Sequence, residues 1–191
     1  MLFKRTFDIL ASFFGLIILS PLLLVAGLLV RFSSEGPVLF RQERTGRHGI
    51  PFTIYKFRTM FVDHGGSSVS VKGEKRITPI GTVLRKFKID EFPELWNILI
   101  GDMSFVGPRP DMPEYAARLK GKQREILTVR PGLTSPASIK YAREEELLSL
   151  VPDPQNHFDE VIWPDKMRMN LEYIKRRTFI GDIVLIFKTV F

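Results

Sequence analysis

The chain contains no cysteine. A disulfide framework, a thiolate nucleophile and a Cys-ligated zinc site are therefore all excluded. Histidine is nearly as scarce: His48, His64 and His157 stand far apart, without the spacing of metal ligands. No internal repeat or low-complexity tract is present. Acidic charge is in the minority, with 21 Asp and Glu against 28 Lys and Arg, a net charge of +7. A basic excess points to phosphate, whether on nucleic acid, anionic lipid or a phosphorylated substrate. Apolar residues, in contrast, are plentiful. Of 191 residues 45% are hydrophobic and 16 are Phe, enough for the core of one domain. Phe also suits surfaces that dip into a bilayer.

The apolar residues are not spread evenly. Ile9 to Val30 is a run of 22 residues without a charge. As a helix it would reach about 33 Å, enough for a hydrocarbon core of ~30 Å. It is longer than the apolar part of a signal peptide, and Arg31 follows it without a small-residue cleavage site. Ser20-Pro21 stands at its middle. Proline removes a backbone donor and breaks or kinks a helix, and a nearby hydroxyl can satisfy the freed group. Lys4 and Arg5 precede the run and Arg31 follows it, so both flanks carry the charge that favours the cytoplasmic side. Local physics leaves a spanning helix and a re-entrant helix broken at Ser20-Pro21 both open. A spanning helix with its N-terminus inside would place the whole basic remainder outside the cell.

Beyond Arg31 the patterning predicts an α+β chain, mostly helical. Two strands, Pro37–Arg44 and Phe52–Thr59, form a hairpin around Gly46–Gly49. Phe61–Lys75 is polar and Gly/Ser-rich, and reads as a loop over the active site. Thr78-Pro79 starts a helix running to Ile89, with Thr as N-cap and Pro at the first position. Glu91–Ile100 forms a second helix, and Asp111 to Glu114 has the acidic first turn of another. Further helices are expected over Ala142–Leu150, Phe158–Lys175 and Ile180–Phe191. The last is too short to span and more apolar than a surface helix needs, which leaves a core helix and an amphipathic interfacial helix as equal readings. The residues divide into a membrane helix, 1–31, and a membrane-associated remainder, 32–191, which together form one structural unit.

The chemistry concentrates around Asp90-Glu91, in KIDEFPELWN. Neighbouring residues on a helix point about 100° apart, so the two carboxylates need not act as one acid/base pair. Cations surround them in sequence. Lys56 and Arg58 flank Phe57; Arg85, Lys86 and Lys88 precede the pair; Arg109 is mounted between two prolines in GPRP. Arginine binds phosphate with a two-pronged fork. A carboxylate among cations is a poor general base, yet it serves as a nucleophile toward phosphorus. A divalent cation bound through Asp or Glu oxygens would neutralise a diphosphate.

Taken together, KRTFDILAS with LSPLLL, PVLFRQERTGRHGIPFTIYKFRTM, GTVLRKFKIDEFPELWNILIGDMSFVGPRP and VRPGLTSPASI resemble the bacterial sugar transferases of the small, monotopic phosphoglycosyl transferase family. The likeness covers essentially the whole chain. It implies a re-entrant N-terminal helix broken at Ser20 and Pro21, on the cytoplasmic face of the bacterial inner membrane. It implies transfer of a phospho-sugar from a UDP-sugar to polyprenol (undecaprenyl) phosphate, releasing UMP, in the first membrane step of glycoconjugate synthesis. Asp90 would be the nucleophile that carries the phospho-sugar, and Glu91 its metal-binding or proton-handling partner. Mg2+ would be bound at Asp90 and Glu91. Lys56, Arg58, Arg85 and Arg109 would contact substrate phosphates. Membrane lipid is a further implied partner, a homodimer is compatible, and nucleic acid is not expected.

The segment after VRPG departs from the family. Many members continue as ITGWAQVNGR where this chain has LTSPASIKYAR, so contacts to nucleotide or sugar differ over Leu133–Arg143. Three rival readings make different predictions. A nucleic-acid binder has no use for the apolar run. A membrane scaffold needs no Asp90 and releases no UMP. A direct-displacement glycosyltransferase releases UDP and forms no covalent intermediate.

Overall fold

The computed structural model describes residues 2–62 and 75–190. Most of the loop expected over Phe61–Lys75 lies outside the described residues. The first helix, α1, runs from Leu2 to Ser33, about 48 Å along its axis. It is continuous through Ser20 and Pro21, so the pair does not end one helix and begin another. The local chemistry explains this. Pro21 has no N–H for the carbonyl of Ile17, four residues earlier. The Ser20 hydroxyl donates to that carbonyl instead, at 2.7 Å.

One stripe of α1 packs on the rest of the protein along its whole length. Asp8, Ser12, Ala26 and Val30 are buried at helical spacing. Between them, Leu16 and Leu19 pack against Ile54, Leu95, Ile98 and Met103. Nearer the end, Leu23, Ala26 and Val30 meet Phe57 and Leu84. The N-terminal end is pinned by polar contacts. Lys4 donates to the Val106 carbonyl at 2.7 Å and pairs with Asp182. Arg5 donates to the carbonyls of Ile98 and Leu99 at 2.6 and 2.9 Å. The opposite side of α1 is apolar and exposed, with Phe3, Leu10, Phe14, Ile18, Leu24 and Phe32 among its residues.

Strands β1 (Leu39–Thr45) and β2 (Pro51–Phe57) pair antiparallel, Leu39 opposite Phe57 and Thr45 opposite Pro51, as the expected hairpin. Helix α2 (Pro79–Lys86) has the expected cap: the Thr78 hydroxyl accepts from Gly81 N at 3.0 Å. It stops short of Ile89 because Lys88 turns left-handed, at φ 57°. A 3-10 turn over Ile89–Glu91 follows, then α3 (Glu94–Ile100). Pro93 stands at the N-cap of α3 and splits the helix expected over Glu91–Ile100.

The sequence reading did not foresee β3 (Ser104–Val106) and β4 (Gly132–Thr134), a short parallel pair. Beyond Gly107 come α4 (Pro113–Ala117) and a 3-10 segment, Gly121–Thr128. After β4 follow α5 (Pro136–Lys140), α6 (Glu144–Ser149) and α7 (Pro154–His157). A π turn over Phe158–Ile162 leads into α8 (Trp163–Arg176). Tyr115, Leu119, Ile126, Trp163 and Met167 form the core between α4 and α8.

The last helix, α9 (Phe179–Val190), is inside out for a soluble protein. Its Asp182 is buried, bound by Lys4 and by the Tyr173 hydroxyl at 2.7 Å. Ile180 is 77% exposed, and Phe179, Val184 and Phe187 are exposed with it. The core-helix reading of this segment does not hold.

Candidate active site

Asp90 is carried by the 3-10 turn between α2 and α3 and is buried. Its Oδ1 has no hydrogen-bond partner among the described residues. Burial, joined by the charge of Glu91, pushes the Asp90 carboxyl above its ordinary value, against the pull of Lys56, Arg85 and Lys88. Glu91 is in the opposite state. Burial works to raise it too, but Arg109 and Lys56 prevail and hold it well below the usual carboxylate range. Lys56 Nζ lies 2.9 Å from Glu91 Oε1, and the Arg109 guanidinium reaches both Glu91 oxygens. The two neighbouring carboxylates thus have separate tasks. Glu91 is a fixed anion that seats two cations, and Asp90 presents an unpaired oxygen beside them.

Different elements deliver these groups. Lys56 stands near the end of β2, and Arg109 follows β3 in the GPRP loop. Behind them sit three residues that the sequence reading missed. Glu94, on the first turn of α3, is 0% exposed, with Lys56 Nζ at 3.1 Å from its Oε1. Burial pushes Glu94 upward. Burial and the nearby Arg109 pull Arg44 down to about 10. Asp111 is raised to about 6, chiefly by burial. A signal for Glu94 was present in the sequence: it is a carboxylate one helical turn beyond Asp90 and Glu91. Arg44 and Asp111 carry no such local signal.

The remaining expected site residues fall in three places. Arg85 acts electrostatically on Asp90 and pairs with Glu145 of α6 at 3.3 Å. Arg58 is engaged at the exit of α1. Its guanidinium donates to the carbonyls of Pro37 at 2.7 Å, Ser34 at 2.8 Å, and Glu35. It clamps the chain that leaves α1, and its donors are directed there. Ser20 and Pro21 lie on the exposed part of α1.

No group of three His, Asp or Glu side chains converges as a metal site among the described residues. His64 lies outside them. The unpaired Oδ1 of Asp90 suits a hard cation that takes most of its ligands from phosphate and water. Both Glu91 oxygens are engaged by Lys56 and Arg109.

The model of the bacterial sugar transferase family matches residues 1–191. A Bacillus subtilis protein, the uncharacterized sugar transferase EpsL, is 35% identical over 190 residues, which are 100% of this chain and 86% of the relative. The UDP-glucose:undecaprenyl-phosphate glucose-1-phosphate transferase of Caulobacter vibrioides is 36% identical, over 98% of this chain and 68% of that protein. The UDP-N-acetylgalactosamine-undecaprenyl-phosphate N-acetylgalactosaminephosphotransferase of Aeromonas hydrophila is 33% identical over 98% of this chain, which corresponds to 42% of the longer relative.

Proposed function

The chain belongs to the bacterial sugar transferase family, and from that premise we propose that it moves a sugar phosphate from a UDP-sugar onto undecaprenyl phosphate through a covalent adduct on Asp90. The observation that carries this reading is a buried aspartate with an unpaired oxygen beside cations held by another carboxylate. In the first half-reaction an Asp90 oxygen bonds to the sugar-bearing phosphorus. The bond from that phosphorus to the bridging oxygen breaks, and UMP leaves with the electron pair. In the second, an oxygen of undecaprenyl phosphate attacks the same phosphorus and Asp90 departs as carboxylate. Neither half needs an oxidant or reductant.

Arg109 and Lys56, seated by Glu91, aim their remaining N–H donors at phosphate oxygens as charge builds in the transition state. Arg85 supplies further positive charge. Arg58 braces the exit of α1. Magnesium fits as an ion held by Asp90 and substrate oxygens, where it would screen the diphosphate charge. Glu91 serves as an anchor for Arg109 and Lys56.

The topology belongs to the same proposal. Both ends of α1 dock on one body, so a body on the cytoplasmic face puts both ends there. The exposed sides of α1 and α9 then lie in the membrane.

The test is made without acceptor lipid. Protein mixed with magnesium and UDP-glucose or UDP-N-acetylgalactosamine should release up to one UMP per site. Its mass should rise by one sugar phosphate, mapped to Asp90. Asp90→Asn should abolish both signals. Only ionised Asp90 attacks, and burial raises its pKa, so the UMP burst should fall on the acid side at a higher pH than an ordinary carboxylate would set. UMP that appears only when lipid is added, with no adduct on Asp90, would refute the covalent route.

A further inference from the structure

Two residues before Asp90 the backbone adopts a shape that a lysine resists. Lys88 sits at φ 57° and ψ 20°, the left-handed region that glycine enters freely and residues with a Cβ avoid. Among the described residues, His48 in the hairpin turn is the other non-glycine with positive φ. The conformation is required where it stands. Lys88 N donates to Arg85 O at 3.2 Å, and Lys88 O accepts from Glu91 N at 3.3 Å. This one residue ends α2 and opens the turn that carries Asp90. The backbone would be better served by glycine, so the lysine side chain answers some other need.

Its surroundings indicate what that need is. The Lys88 side chain is exposed. Next to it Phe87 is 61% exposed, and Val83, one turn earlier, is 47% exposed. Lys86 Nζ lies 5.5 Å from the centre of the Phe87 ring. Helix α2 packs on α1, whose outer side is apolar. An edge with two ammonium groups and an exposed apolar face thus leads from the α1 side to Asp90. A nucleotide-sugar has no hydrocarbon to place on Val83 and Phe87. A polyprenyl phosphate has both parts: a phosphate monoester and an apolar chain.

We propose that Lys88 and Phe87 form the docking edge for the acceptor lipid, Lys88 taking its phosphate and Phe87 with Val83 its first isoprene units. The inference rests on the transfer proposed above, and its test is independent of turnover. Binding of radiolabelled undecaprenyl phosphate and of undecaprenol is measured on the full chain in phosphatidylcholine nanodiscs at pH 8. Lys88→Gly should weaken undecaprenyl phosphate by about tenfold, or roughly 1.4 kcal/mol, and leave undecaprenol unchanged. Its melting temperature should equal or exceed that of the unaltered protein, because glycine relieves the backbone. Lys88→Arg should bind within about threefold of the unaltered protein, since it keeps a cation there. Phe87→Ala should weaken both lipids. Undecaprenyl phosphate bound equally well by Lys88→Gly would overturn the proposal. So would loss of the phosphate preference when phosphatidylglycerol is added to the nanodiscs, since the edge would then read any anionic headgroup. A missing UMP burst in the unaltered protein, with these binding differences intact, would refute the covalent step and leave the docking edge standing.

Discussion

Arg58 and Arg109 are the same residue type, each set among groups that take a guanidinium fork, yet their surroundings predict opposite phenotypes. Arg109 grips the Glu91 carboxylate, and in the proposed reaction its remaining donors meet phosphate. Arg109→Lys keeps the charge and loses the fork. It should cost tenfold or more in kcat/KM, about 1.4 kcal/mol of transition-state stabilisation, with little change in melting temperature. Arg58 instead satisfies three backbone carbonyls at the end of α1. A lysine there cannot serve all three, and each lost hydrogen bond from the charged, buried guanidinium costs on the order of 1.5–3 kcal/mol. Arg58→Lys should lower the melting temperature by several degrees. The enzyme that remains folded should turn over near normally. A stable, inactive Arg58→Lys protein would return Arg58 to the phosphate site. Both residues stood out in the sequence as cations near the chemistry. Their directions did not, because a strand-end arginine reaches either way and only tertiary structure supplies the carbonyls of Ser34, Glu35 and Pro37.

Among the elements, the parallel pair β3–β4 is the one that positions Arg109 and the one that local pattern could not reveal. Each strand has three residues, too few to show alternation, and the partners are far apart in sequence. At their ends two glycines bring backbone against backbone: a Cβ on Gly132 would lie 2.1 Å from Gly107 N. Gly132→Ala must push the GPRP loop away from β4. Overpacking against backbone, which cannot rotate aside, should cost on the order of 3 kcal/mol, a fall in melting temperature of about 6–12 °C. The UMP burst should fall further than the loss of folded protein explains, because Arg109 moves with the loop. A Gly132→Ala protein with unchanged melting and burst would show that the loop does not depend on this contact. Longer elements were legible. The hairpin and the α2 start appear within about two residues of their expected bounds, because turn glycines and the Thr-Pro cap are local signals. The helix expected over Glu91–Ile100 was split by Pro93, and that over Phe158–Lys175 opens on a π turn, Phe158–Ile162, before it continues as α8. Asp90 and Glu91 were legible as a pair. Their division of labour was not, since it depends on which carboxylate the two cations reach.

At the scale of the molecule the question is how a helix long and apolar enough to cross a bilayer belongs to a protein whose site is built from charged groups. A spanning helix would carry one end some 30 Å from the body on the other side. Here the end at Lys4 and Arg5 is bonded to Val106, Asp182, Ile98 and Leu99, and the end at Val30 packs on Phe57 and Leu84. To span, α1 would have to break one of these sets and leave Asp182 buried without its cation, or drag the charged body into hydrocarbon. At mid-helix the Ser20 hydroxyl supplies the donor that Pro21 withdraws from the Ile17 carbonyl, which keeps α1 continuous on its exposed side. Single cysteines near residues 2 and 33 should therefore both resist a membrane-impermeant thiol reagent in intact cells and react once the cells are opened. The background is clean because the chain has no cysteine of its own. Labelling of either position from outside would remove the one-sided topology. Lys4→Ala with Arg5→Ala frees the N-terminal end and removes its flanking charge, so it should let a fraction of molecules expose position 2. Replacing Pro21 by Leu restores only one backbone donor and should not, because the docked ends, more than the proline, hold the helix on one side.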